Sequence, residues 1–174
     1  FFWDELSWFK LFSPWWGNKF IFQSGFHWVP FANLQLPDFK VEWTASRPWV
    51  YTHYDSLITY TSADIGIGFP EGPNSQLLYV ETNWWMSPQS LWRISYRHLV
   101  KGSGLGSNPT HNYNDRDSSL DENTPPLLGE TTVSNKIELR GTYRFSLMLK
   151  GFANISYQDQ ISQSTGQIGF VLNW

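Results

Sequence analysis

Lys136-Ile137-Glu138-Leu139-Arg140-Gly141-Thr142-Tyr143 places a charged or polar side chain on every even position and an apolar residue or glycine on every odd one. A two-residue period marks a strand whose two faces meet different surroundings. The same sorting recurs along the chain. Lys40 and Glu42 share a face opposite Phe39, Val41 and Trp43, and Glu81 lies opposite Leu78, Val80, Thr82 and Trp84. Arg93 and Arg97 lie opposite Trp92, Ile94 and Tyr96, and Lys150 lies opposite Gly151, Ala153, Ile155 and Tyr157. The last segment alternates Ile168, Phe170, Leu172 and Trp174 with Gln167, Gly169, Val171 and Asn173. Strands are therefore expected over 18–29, 38–47, 76–86, 91–101, 131–143, 147–157 and 165–174. The first is the least tidy, with Phe20, Phe22, Phe26 and Trp28 opposite Ile21, Gln23, Gly25 and His27.

Two architectures share this pattern. A soluble sheet turns its apolar face to a core and its charged face to water. A transmembrane barrel turns the apolar face to lipid and the charged face to a lumen. The links between strands decide. Read backward from Trp174 they are 158–164, 144–146, 102–130, 87–90, 48–75 and 30–37, with the longest two on the same side as 158–164. Outer-membrane barrels pair short periplasmic turns with long extracellular loops. With that orientation, Trp28, Phe39, Trp84, Trp92, Tyr143 and Trp174 collect at the periplasmic end of the apolar faces, as an interfacial aromatic ring does. The expected fold is all-β: an antiparallel transmembrane β-barrel of the outer-membrane type, in a single domain over 1–174. Seven strands are odd in number, and an open edge in lipid is costly, so these are read as the C-terminal strands of a larger barrel. Residues 57–61 extend a strand above the membrane without adding a crossing. Residues 1–16, rich in Phe and Trp and ended by Ser13-Pro14, read as an interfacial segment, the tail of a preceding strand, or a packed loop.

Composition narrows the class further. The 174 residues carry a net charge of −3 and no basic run, which argues against nucleic acid as a partner. The absence of cysteine removes disulfide scaffolds and thiolate metal sites. Aromatic residues make up 18% of the chain, far too much buriable surface for a disordered one. Mean hydropathy is −0.37 and no apolar run reaches the length of a membrane helix, so only strands can cross. A barrel reconciles the two figures, because the average mixes a lipid face with a lumen face.

Residues 47–102 contain Arg47-Pro48-Trp49-Val50-Tyr51-Thr52-His53, then a Tyr-rich stretch, Gly66-Ile67-Gly68 and Glu71-Gly72-Pro73-Asn74-Ser75. An amphipathic strand and Tyr96-Arg97 to Lys101-Gly102 follow. This arrangement resembles the Wzi-type capsule-assembly family of outer-membrane barrels, over about a third of the chain. The chain is too short for that family's whole barrel and its N-terminal part. The resemblance implies a monomeric, lectin-like barrel that holds capsular or exopolysaccharide at the surface of the bacterial outer membrane, without catalysis.

The residues themselves leave two uses open for the 48–75 loop. Stacking aromatics beside carboxylates and amides suit sugar rings, which makes Trp49, Tyr51, His53, Tyr54, Asp55, Glu71 and Asn74 the glycan-binding candidates. The same residues can instead fold the loop onto itself. The inward charges Lys40, Glu42, Glu81, Arg93, Arg97, Lys136, Glu138, Arg140 and Lys150 line the lumen, either along a solute path or as cross-strand ladders. Their near balance argues against a strongly charge-selective pore. Asp115, Asp117, Ser119, Asp121 and Glu122 lack the glycine of a calcium loop, and Gly102 to Gly106 is followed by no helix pattern. His53, Asp55 and Ser56 sit in no nucleophile elbow. No metal, cofactor or enzymatic activity is expected. The partners are membrane lipid, surface polysaccharide and other envelope proteins. The alternatives are a diffusion porin and a structural barrel within an envelope assembly.

Overall fold

The computed structural model describes residues 1–30, 36–55, 59–62, 65–146, 149–159 and 163–172. Ten strands follow in chain order: β1 (Phe2–Glu5), β2 (Lys19–Trp28), β3 (Asp38–Ser46), β4 (Thr61–Ser62), β5 (Ile65–Gly66), β6 (Ser75–Ser87), β7 (Ser90–Gly102), β8 (Thr131–Arg144), β9 (Leu149–Gln158) and β10 (Gln163–Leu172). Single 3-10 turns occupy Trp8–Lys10, Tyr113–Asp115 and Ser118–Leu120. No helix among the described residues is long and apolar enough to cross a membrane.

Eight strands form one antiparallel sheet in the order β1-β2-β3-β6-β7-β8-β9-β10, and β4 pairs with β5 apart from it. Each of the eight lies beside its predecessor in sequence, so the sheet is a meander interrupted only by the β4–β5 hairpin. It is open between its edge strands β1 and β10. The expected strand count is corrected from seven to eight. Phe2–Glu5 pairs with β2 through Phe2↔Ile21 and Trp3↔Phe20, but four residues are too few for a period to show in the sequence. Of the segment 57–61, residues 57 and 58 lie outside the described residues, and Thr61 begins the small β4–β5 hairpin rather than extending a strand of the large sheet.

The chain divides into two compact units, Phe1–Ser24 with Trp43–Leu77 and Leu99–Val133, and Gly25–Glu42 with Leu78–His98 and Ser134–Trp174. The second unit has no fully buried apolar side chain among its described residues. Two of its strands, β9 and the first half of β7, alternate in the sense opposite to a soluble sheet. Along β9, Ala153, Ile155 and Tyr157 are exposed while Phe152, Asn154, Ser156 and Gln158 are half-buried. Along β7, Trp92 and Ile94 are exposed, Arg93 is half-buried and Ser95 is buried. The polar rows bond to one another. Lys40 Nζ reaches Glu42 Oε2 at 2.7 Å, Arg93 Nε donates to Asn83 Oδ1 at 2.8 Å and lies 3.4 Å from Glu81, and Glu138 takes Lys136 at 3.4 Å and Arg140 at 3.2 Å. Arg97 is half-buried and Lys150 exposed. Trp28, Phe39, Trp84, Trp92 and Tyr143 are all exposed, whereas Trp174 lies outside the described residues. Gly141 leaves room for Trp92, since a Cβ there would come within 3.0 Å of the indole.

The β9–β10 register is fixed by pairs that include Ser156↔Thr165 and Asn154↔Gln167, with the Ser156 and Thr165 hydroxyls 2.8 Å apart. In the cysteine-free chain, Ser156→Cys with Thr165→Cys should close a disulfide under mild oxidation. Ser156→Cys with Gln167→Cys, two residues out of register, should stay reduced. Thiol titration of the two double variants reads the difference, and equal oxidation would reject this register.

Candidate functional site

In the first unit, Lys19 opens β2 with its side chain fully withdrawn from water. Its ammonium donates to the Thr52 carbonyl at 2.7 Å, pairs with Glu5 Oε2 at 2.9 Å and lies 5.3 Å from the centre of the Trp16 ring. A buried ammonium needs this set, because leaving water costs several kcal/mol that only close partners offset. Glu5 then reaches on: its Oε1 lies 3.2 Å from His53 Nδ1, while Asp4 Oδ1 lies 3.1 Å from His53 Nε2. Asp4 Oδ2 accepts the Tyr51 backbone N–H at 2.8 Å. Two acids of β1 therefore clamp residues 51–53 of the long link after β3.

The clamped segment is wound inward. Trp49 and Tyr51 have positive φ of 66° and 72°, uncommon for bulky residues, and with Val50 they supply most of the buried apolar side chains of the described chain. Gly106 allows this, since a Cβ there would meet the Trp49 indole at 2.7 Å. The Tyr51 ring stacks on Tyr60 at 5.6 Å, and its hydroxyl oxygen accepts the Phe69 N–H at 2.9 Å. Burial, with the nearby Asp4 carboxylate adding to it, raises the Tyr51 phenol above its ordinary value. Asn74, also at positive φ, is fully buried. Its Nδ2 donates to the Leu128 carbonyl at 2.9 Å and its Oδ1 accepts the Leu128 N–H at 2.7 Å, so one amide copies a strand's backbone and ties the two long links together.

Three of the glycan-binding candidates are almost fully buried. Trp49, Tyr51 and Asn74 build the interior of the loop assembly, because folding the link buries the same rings and amide that would suit a sugar. Glu71 is half-buried, and its backbone carbonyl accepts Lys101 Nζ at 2.6 Å. Tyr54 and Asp55 are exposed, and His53 is mostly covered. His53 and Tyr54 line a cleft of ≈ 420 Å³ together with Thr59 and Thr61 on one side and Pro109, Thr110, His111 and Asn112 on the other. The second side was missed in the sequence. Its signal was the polar turn Asn108-Pro109-Thr110-His111-Asn112, where Asn108 Oδ1 accepts the Thr110 N–H at 3.0 Å. His111 Nδ1 accepts the Gly106 N–H at 3.0 Å, which leaves Nε2 to carry the ring proton in the neutral form.

A smaller apolar cleft of ≈ 170 Å³ lies among Trp16, Trp49, Leu105, Leu120 and Leu128. The guanidinium of Arg116 lies 4.0 Å over the Trp16 ring and holds Asp121 through two hydrogen bonds of 2.9 and 3.0 Å. The acidic residues of this link serve its own structure: Asp117 accepts the Ser119 N–H at 2.9 Å and Glu122 pairs with Lys10. No group of acids and histidines that could hold a metal ion occurs among the described residues. No protein-family model, curated protein or solved structure matches the chain.

Glu5→Gln keeps the shape but leaves Lys19 without its counter-charge. It should lower unfolding free energy by about 2–3 kcal/mol, less than for a fully buried pair because the Glu5 side chain is 43% exposed. Adding Lys19→Met should recover most of that loss. Urea unfolding in detergent micelles measures both, and a Glu5→Gln protein as stable as the parent would contradict the assignment.

Proposed function

We propose that this chain is part of a bacterial outer-membrane β-barrel that holds capsular or exopolysaccharide at the cell surface and catalyses no reaction. The observation that carries this reading is the set of large apolar side chains left exposed on the second unit, Trp92, Ile94, Ile137, Ile155 and Ile168 among them, while Arg93, Lys136 and Glu138 on the same strands are partly covered and paired. In water, such a sheet would leave its apolar face unburied. Against lipid the same face is satisfied, and the ladders Lys40–Glu42, Arg93–Glu81 and Lys136–Glu138–Arg140 stiffen a lumen. Mutual neutralisation within these ladders favours a structural role over an ion-selective path.

The saccharide part of the reading rests on the cleft between the two long links. Tyr54, 78% exposed, supplies a stacking face. The His111 ring N–H, the Asn112 amide and the threonine hydroxyls supply directional hydrogen bonds around it. The resemblance of residues 47–102 to the Wzi-type barrels supplies the ligand class. Retention of polysaccharide is then a matter of many weak contacts along a chain, which needs an open cleft and no catalytic group.

Two measurements test the proposal. Arg in place of Ile155, near the middle of β9 on the apolar face, should cost about 2–4 kcal/mol in vesicles, whereas Ser156→Arg on the opposite face should be tolerated. Equal tolerance would reject the membrane reading. Tyr54→Ala combined with Asn112→Ala should weaken polysaccharide binding about tenfold, the loss expected for one stack and one hydrogen bond, with the urea midpoint unchanged. Unchanged binding would reject the cleft as the site.

A further inference from the structure

The link between β1 and β2 carries an apolar tip that the polysaccharide reading does not use. Phe9 is 100% exposed, Phe12 96% and Trp8 76%. This tip is held in place. The Lys10 N–H donates to the Ser7 carbonyl at 3.0 Å and the Ser13 N–H to the Lys10 carbonyl at 2.9 Å. Beneath them the buried Asn18 amide donates to the carbonyls of Lys10 at 2.7 Å and Ser13 at 3.1 Å. Phe12 adopts φ 63°, a left-handed conformation that costs a bulky residue free energy, and its ring is nonetheless left open to the surroundings. An anchored turn that displays three rings is built to meet an apolar medium.

The surroundings indicate which one. Lys10 is the only charged residue from Leu6 to Gly17, and its ammonium is engaged by Glu122. On the adjoining strands, Phe1 stacks on Phe20 at 5.4 Å, packs edge-on to Trp3 at 4.8 Å, and approaches Phe22 at 6.0 Å. Phe20 and Phe22 share strand parity with Trp28, so this aromatic patch prolongs the apolar face of β2 toward the link. Rings grouped where an apolar face ends, beside serine hydroxyls and one lysine, match the composition of a membrane–water interface.

We propose that residues 7–13 form a wedge seated in the outer leaflet of the membrane, an aromatic anchor beside the N-terminal end of β2. The inference rests on the membrane reading and adds a lipid contact made by a link. The absence of cysteine allows a single environment-sensitive label at Phe9→Cys, Ile155→Cys or Tyr54→Cys, each in the full chain reconstituted into phosphatidylcholine vesicles. Nitroxide lipids should quench the label at Ile155→Cys and at Phe9→Cys, and should leave Tyr54→Cys unaffected. For Phe9→Cys a nitroxide near the headgroup should quench more than one near the chain end. A quenched Ile155→Cys beside a Phe9→Cys label with water-like emission overturns the wedge alone. A Phe9→Cys label shielded only at high protein-to-lipid ratio assigns the tip to a second copy and overturns it as well. An unquenched Ile155→Cys removes the membrane reading and the wedge with it.

Discussion

An ammonium with no access to water organises the first unit. Lys19 is stabilised there by Glu5, the Thr52 carbonyl and the Trp16 ring, which converge on it from three separate parts of the chain. That requirement fixes where β1 must lie against β2, and it fixes the entry of the 47–74 link. Once Glu5 is placed, its other oxygen and the neighbouring Asp4 capture His53 and the Tyr51 backbone, and the inward winding of Trp49 and Tyr51 follows. The cleft is the outer surface of this packing: His53 and Tyr54 stand at its rim because residues 49–52 are pulled beneath them.

The second unit obeys a different constraint. Among its described residues no apolar side chain is fully buried, and cohesion comes from the backbone ladder and from the polar rows. Each strand must satisfy its N–H and C=O groups laterally, and β6 to β9 do so with a strand on either side. The paired charges add cross-links within and between strands, so the polar face is the more tightly knit of the two.

Much of the sheet was legible because alternation is a local signal. Lys136 to Tyr143, Trp92 to Arg97 and Phe39 to Trp43 each show their faces within a few residues, and the observed strands begin and end close to the expected positions. Strand β1 was legible only as one alternative, the tail of a preceding strand within 1–16, since its pairing depends on Lys19 and Glu5 meeting, a contact that no period reveals. The site was read only in part. Tyr54 and His53 stand at the cleft, but Trp49, Tyr51 and Asn74 carry the same chemical credentials and lie inside. Residue type states what a side chain can bind, whereas the choice between ligand and interior was made by positive φ at positions 49, 51 and 74. The far wall at 109–112 was hidden because its approach to His53 is a matter of tertiary packing between two long links.

The Asn74–Leu128 junction also bears on the order in which the molecule assembles. Its partners are 54 residues apart in sequence, and the entropy of closing so long a loop makes it an improbable early contact. The hairpin of β6 and β7 changes the arithmetic. Its final turn of pairing brings Gly102 N–H to the Asn74 carbonyl at 3.0 Å, after which only the stretch from 103 to 127 remains to be closed. The outer link therefore docks late, on a hairpin already formed, and Asn74 acts as the receptor for that last step. A surface assembly finished in this order stays open while the strands beneath it pair.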